Sequence, residues 1–422
     1  MKMNQRLYAA AVAALLLNAT AVAPYPLDGY GETGIRRLEA NRLAQEGKLN
    51  DVRQPPGALL HLADVQLRLV GQTFDLPPPD PAFTREVQSI LTGSMESYGV
   101  AVLDLSDPAK PRYAEQRGDH RQNIGSVGKL VVVLALFQAL ADVHPDIAAR
   151  KRVLKETVVT ADAFSQSDSH TVRIYDPVAH KLTRRPVQIG DRATLYEWVD
   201  WMLSPSSNSA GGMVMREVML LQHFGKAYPP SEEQIRTFFA TTPKPELTAL
   251  LQRSFFEPVT RNGLDLNLLR QGSVFTAGGK RVVPDAGNSY GTARELVRYL
   301  LRMEQGRLVD TFSSLEIKRL IYVTERRIRY ASSPALADAA VYFKSGSLFQ
   351  CIPEPGFVCR PYAGNAKNYM NSVAVVESPA VGRELYYMSA LVTNILRKNS
   401  AAEHQALATR IQQLIAADHK KK

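Results

Sequence analysis

Ser126-Val127-Gly128-Lys129 runs directly into Leu130-Val131-Val132-Val133-Leu134-Ala135-Leu136-Phe137-Gln138-Ala139-Leu140. The second part is apolar nearly all round, the pattern of a helix buried on every side. Ser126 then stands at the start of that helix, where free N–H groups and the helix dipole favour negative charge. Lys129, three residues on, projects from the same face one turn along. A serine hydroxyl becomes a useful nucleophile only when a base takes its proton. An ammonium is no base, so Lys129 is expected to be neutral part of the time. Burial and the nearby charge of Lys344 would both push its pKa down. Alone, these four residues also fit a helix-capping serine and a snorkelling lysine.

Two further stretches follow in order, Ser206-Ser207-Asn208 and Lys344-Ser345-Gly346. Ser206 and Asn208 come just after a helix that Pro205 ends, on a tight turn. A hydroxyl there can pass a proton to a leaving nitrogen, and the Asn208 amide can hold Lys129 or a substrate carbonyl. By itself this is an ordinary polar turn. Lys344 and Ser345 close a strand and offer a charge and a hydroxyl to a carboxylate, with an extended ligand pairing along the strand edge. Gly346 lets another chain approach closely. The backbone N–H groups of Ser126 and Ser347 are the natural pair for an oxyanion hole. Together the order supplies a nucleophile (Ser126), its base (Lys129), a proton shuttle (Ser206) and an anion clamp (Lys344, Ser345).

That order resembles the one used by penicillin-recognising serine enzymes. The flanks point the same way. Ser206-Ser207-Asn208-Ser209-Ala210-Gly211-Gly212 resembles the middle motif of class A β-lactamases, and Thr194-Leu195-Tyr196-Glu197-Trp198 its lead-in helix. Thr292-Ala293-Arg294-Glu295-Leu296 resembles a later helix start, and Arg327-Ile328-Arg329 the approach to the third motif. The resemblance, to the serine β-lactamase and penicillin-binding protein superfamily and within it to class A, covers roughly Phe83 to Ala417. It implies an α+β fold: an antiparallel sheet flanked by helices, with an inserted all-helical domain. It also implies acyl-serine chemistry without metal or other cofactor. A β-lactam or a D-Ala-D-Ala-type peptide would be the substrate, with peptidoglycan as a further partner. The expected function is an exported class A-type hydrolase. The alternatives are a DD-peptidase or transpeptidase acting on peptidoglycan stem peptides, and a non-catalytic wall-binding module.

The gaps between motifs are longer than in compact class A enzymes, so insertions are expected around Thr160–Arg185 and Phe224–Pro284. In the β-lactamases an acid on the omega loop activates the deacylating water. Glu246 and Asp265 are the candidates here, the first with the better local match and the second nearer the following helix, and a third option is neither. Without such a group the acyl-enzyme would form and persist.

The remaining sequence sets the frame. The chain has 422 residues, 45% hydrophobic and 22% charged, with a formal net charge of +10. This is ordinary for a globular protein, with a field that favours anionic partners. No basic module with interleaved aromatics points to nucleic acid. Lys2 and Arg6, the apolar run Leu7–Leu17 and the small residues Ala19–Ala23 read as an export signal, cleaved more comfortably after Ala21 than before Pro24. A periplasmic or secreted protein is expected, with no later segment apolar enough to cross a bilayer. Cys351 and Cys359, the two cysteines, are expected to pair as a local disulfide beside the third motif.

The predicted organisation is a signal over 1–23, an extension over 24–82 and a catalytic domain over 83–422. In that domain, 83–122 and 335–422 form the α/β part, and 123–334 the helical part. Helices are expected over Ile35–Gln45, Thr84–Tyr98, Leu130–Leu140, Thr194–Leu203, Arg294–Gln305, Leu315–Arg326 and Glu403–Ala416. Strands are expected over Gly99–Leu105, Tyr113–Gln116, Ala339–Phe343, Val373–Val376 and Leu385–Thr393. Leu59–Leu69 reads as a strand pair or a short helix. Pro77–Pro81 reads as a stiff spacer.

Overall fold

The computed structural model describes residues 29–420; the expected export signal lies outside the described residues. Five strands make one antiparallel sheet: β1 (Tyr98–Asp104), β2 (Arg112–Gln116), β3 (Ala340–Gln350), β4 (Lys367–Ser378) and β5 (Leu385–Asn394), in the order β2-β1-β5-β4-β3. The two ends of the chain therefore meet in one sheet, with Val100 opposite Leu391 and Lys344 opposite Val373.

Alternation of side chains explains why these strands read as unbroken apolar runs. Ala101, Leu103, Val373, Val375, Met388 and Ala390 enter the core shared with the helical part. Val100, Val102, Ala374, Val376 and Leu391 face the other way, onto Leu407, Ile411 and Ile415 of the C-terminal helix Ser400–Lys420 and onto Phe83 and Val87. Both faces are covered, so neither carries a polar register.

The insert between the sheet halves is mainly helical. Its centre is Lys129–Val143, whose first twelve residues are all buried. Apolar all round, it can only sit where other elements enclose it. The wider stretch Gly125–Val143 is long and apolar enough to cross a bilayer, which corrects the expectation that no such segment follows the signal. Here it is the enclosed core helix. Leu195–Leu203 starts on a capping box between Thr194 and Glu197, and Asn208–Phe224 starts on Ser207. The insert also carries three two-stranded ribbons, one of them pairing Thr171–Asp176 with Lys181–Pro186.

Other boundaries move for local reasons. The helix expected over Thr84–Tyr98 spans Pro81–Ser89 and starts earlier because Asp80 accepts the Phe83 N–H as its N-cap and Pro81 suits the first turn. Leu59–Leu69 is neither a strand pair nor an α-helix; it holds one 3₁₀ turn, Leu62–Asp64. The helix expected at Leu315–Arg326 is Thr311–Tyr322, capped by Asp310. Residues ahead of the proline spacer pack on the body of the fold. Ile35, Leu38, Leu60, Leu62 and Val65 join the central core. Arg37 makes a bidentate pair with Asp200 at 2.6 Å, both buried.

Candidate active site

Ser126 sits in the 3₁₀ turn Gly125–Gly128 that leads into the buried helix. Strand β3 passes close beside this turn. A Cβ at Gly346 would lie 2.3 Å from the Ile124 carbonyl oxygen and 2.5 Å from the Ser126 nitrogen, so only glycine allows the approach. A Cβ at Gly125 would in turn lie 3.3 Å from the Ser347 nitrogen, which puts both expected oxyanion donors at this one seam.

Lys129 is fully buried and its Nζ is the hub of the site. It donates to Ser126 Oγ at 3.0 Å, Ser206 O at 2.6 Å and Asn208 Oδ1 at 2.8 Å, and lies 3.4 Å from Ser206 Oγ. Lys344 Nζ donates to the same Ser206 Oγ at 2.8 Å and to Ser345 O at 2.9 Å. Ser206 is held in the left-handed region (φ 66°), a strained setting for a serine that turns its hydroxyl between the two lysines. Burial drives the Lys129 pKa down to about 7, against the opposing pull of the Asp168 carboxylate. Lys344 is also driven well below the usual lysine range, by burial and by the charges of Lys129 and Arg329.

A cleft of about 240 Å³ opens over these groups, lined by Ser126, Ser206, Asn208, Lys344, Ser345 and Ser347. The structure thus brings together every residue of the three motifs named from the sequence. It does not bring in the two candidate acids. Glu246 is exposed in the first turn of the helix Lys244–Arg261 and faces a separate pocket with Gln222 and Arg253. Asp265 is exposed too, its carboxylate capping the Asn267 N–H at 2.7 Å. Both lie in the long insertion, whose path the sequence did not reveal. The Gln271 amide oxygen packs instead against Gly128, and the Phe275 ring centroid is 4.9 Å from Lys129 Nζ.

Three more residues belong to the site and were not singled out as functional. Arg329 donates to Ser345 Oγ (2.8 Å) and Ser347 Oγ (3.0 Å) and lies over the Tyr362 ring, so it joins Lys344 at the cleft floor. In the sequence Arg327-Ile328-Arg329 carries only the family-like approach to the third motif. Asp168, from the first insertion, accepts from Ser207 Oγ (3.0 Å) and from the backbone N–H groups of Asn208 (2.7 Å) and Ser209 (3.0 Å). His170, on the cleft wall, pairs with its other oxygen at 2.6 Å. Burial pushes the Asp168 carboxyl up, but the hydrogen bonds from His170 and Ser209 outweigh it and hold the group well below the usual range. The middle motif here reads Ser-Ser-Asn rather than Ser-Asp-Asn, and Asp168 brings a carboxylate to that turn from elsewhere. Cys351 and Cys359 are disulfide-bonded in the loop after β3.

A family model described as the beta-lactamase enzyme family matches residues 82–379. No curated protein matches the chain. Among solved structures, the β-lactamase from Sphaerobacter thermophilus DSM 20745 is 15% identical with a TM-score of 0.50, covering 79% of this chain and 96% of that one. A point mutant of PBP-A, solved as an acyl-enzyme complex with penicillin G, is also 15% identical with a TM-score of 0.50, over 81% of this chain and 100% of that one. At such identity the likeness is one of fold.

Proposed function

This chain belongs to the β-lactamase enzyme family, a family of serine hydrolases of the β-lactamase and penicillin-binding kind, and on that premise we propose the reaction it carries out. It is an exported enzyme that forms an acyl-serine intermediate on Ser126 with carboxylate-bearing cyclic or peptide amides, β-lactams among them. The observation that carries this reading is the convergence of Ser126, Ser206 and Asn208 on one buried lysine amine of depressed pKa.

Neutral Lys129 takes the Ser126 proton across 3.0 Å as Oγ attacks the amide carbon. The oxyanion that forms is met by the N–H groups of Ser126 and Ser347. Ser206, within 3.4 Å of Lys129 Nζ, passes the proton on to the leaving nitrogen. Lys344 and Arg329, with the Ser345 and Ser347 hydroxyls, receive the substrate carboxylate, and the Asn208 Nδ2 group is placed for a carbonyl.

The second step separates the class A type from its DD-peptidase alternative. Among the described residues no Asp or Glu lines the cleft. Gln271 against Gly128 and Phe275 over Lys129 offer no carboxylate either. Both observations favour slow deacylation, and so the peptidase reading. Intact-mass measurement after addition of penicillin G tests the proposal. A drug adduct on Ser126 that persists for many minutes is expected. An adduct that disappears with drug consumption would establish a turnover β-lactamase, and no adduct at any time would reject penicillin recognition.

A further inference from the structure

A cavity larger than the catalytic cleft lies apart from it, where β1 begins and β5 ends. It encloses about 950 Å³ between the Thr92–Tyr98 turn, the segment 117–122 and the segment 394–398. Arg117, Arg121 and Lys398 line it together with Glu96, and the Glu403 carboxylate stands behind the wall, accepting from Thr92 Oγ1 at 3.1 Å and paired with Arg410 at 2.7 Å. Among the described residues none of these three cations has an ion-pair partner, although guanidinium groups elsewhere are commonly paired, as at Arg37, Arg216 and Arg294. The Arg117 guanidinium hydrogen-bonds His120 Nδ1 at 3.0 Å, and Arg121 lies 5.4 Å from the Tyr290 ring centroid. Burial and the Arg117 charge lower the His120 pKa, while exposed Asp119 beside it pulls the other way. The positive excess is thus carried by the arginines and the lysine and does not depend on His120.

The rest of the wall is rich in hydroxyl and amide groups: Thr92, Ser94, Ser97 and Asn394. Of its two tyrosines, Tyr98 is buried with its hydroxyl on the Thr92 carbonyl, so flat surface for stacking bases is scarce. The basin and the nucleophile turn are joined by one short segment of chain. Gln122 lines the basin, donates to Asn371 Oδ1 at 3.1 Å and to Thr393 O at 3.0 Å, and stands four residues before Ser126. Tyr369, another wall residue, faces Leu348, next after Ser347 in β3.

We propose that this basin is a second binding site, for a linear hydroxyl-rich polyanion that bears carboxylate or phosphate groups at intervals, and that it holds a polymeric substrate alongside Ser126. Unpaired cations give attraction to spaced anions, and the hydroxyl and amide wall gives hydrogen bonds to a polyol or sugar chain. The role as substrate holder rests on the acyl-serine reading, whereas the binding itself does not.

Titrations of the full chain with a fluorescent oligogalacturonate (carboxylate) and with inorganic polyphosphate (phosphate), at low and high salt, test it. Binding of at least one, weakened by salt, is expected, and the preferred probe identifies the anion. The triple variant Arg117→Gln/Arg121→Gln/Lys398→Gln should bind about tenfold or more weakly. Its acylation by penicillin G should be unchanged. Glu96→Gln should bind more tightly than the parent. Failure of both probes to bind, equal binding by the triple variant, or tighter binding of single-stranded DNA of matched charge would overturn the proposal. Loss of penicillin acylation in the parent chain with probe binding intact would overturn the acyl-serine reading alone.

Discussion

Replacing Asp168 by Asn tests how the charge at the middle motif sets the base. The Asp168 carboxylate accepts the Asn208 N–H at 2.7 Å, and Asn208 Oδ1 accepts from Lys129 Nζ at 2.8 Å. One residue thus separates the carboxylate from the amine, a gap of roughly 7 Å, worth about 2 kcal/mol at an effective dielectric constant of about 20. That corresponds to about one to two pK units. The sign follows from the chemistry. Asp168 raises the Lys129 pKa against burial, which brings it to about 7. Without that charge the ammonium is held less well, its pKa falls, and the neutral base is available at lower pH. The acid limb of the acylation rate should therefore move from near pH 7 to lower pH by one to two units. Because Lys129 and Lys344 meet at Ser206 Oγ, the midpoint belongs to the pair rather than to either residue. Stopped-flow acylation by nitrocefin from pH 4.5 to 9 gives the limb directly. The asparagine keeps a carbonyl acceptor for the N–H groups of 208 and 209, so the accompanying stability loss should be about 1 kcal/mol. An unmoved midpoint, or one that moves upward, would refute the reasoning.

Gln271→Glu places a carboxylate against Gly128, one residue from Lys129; the lifetime of the penicillin adduct should shorten about tenfold or more, read by mass spectrometry over time. Arg329→Ala removes a guanidinium from Ser345 and Ser347. The second-order acylation constant for benzylpenicillin should drop roughly ten- to a hundredfold, while the drop for its methyl ester should be small. His404 is buried between Thr393 Oγ1 and Ser372 Oγ, and burial together with the Arg329 charge lowers its pKa to about 3. The unfolded chain binds that proton below about pH 6.5 and the folded chain does not, so His404 costs stability as pH falls through this window, by up to about 1.4 kcal/mol per unit. Urea denaturation at pH 7 and pH 5 should show a smaller acid-side loss for His404→Gln than for the parent.

The clustering of Ser126, Lys129, Ser206, Lys344 and Gly346 was foreshadowed in the sequence because two of the three short motifs carry their own local geometry. A turn into a buried helix and a turn after a helix end are set by neighbours within a few residues, whereas Lys344-Ser345-Gly346, expected to close a strand, lies inside β3, which pairs with β4 as far as Gln350. The five strands and the core helix were legible for a like reason, since apolar runs and caps are local signals. Arg329 was harder to see, because its role comes from lying alongside β3 rather than from any pattern around it. Asp168 and Gln271 gave still less signal. They reach the middle motif and the nucleophile turn from insertions whose length the sequence revealed but whose course it did not.

The sequence by itself determined which residues have the chemistry to acylate and which elements present them, since hydrogen-bonding type, charge and apolar period are properties of the chain alone. Only the tertiary structure decided which carboxylates stand near the middle motif. It placed Asp168 against Ser207 and Asn208 and left Glu246 and Asp265 on the exterior. The reason is physical: a pKa and a proton path depend on distance and burial through space, and packing between distant segments fixes both.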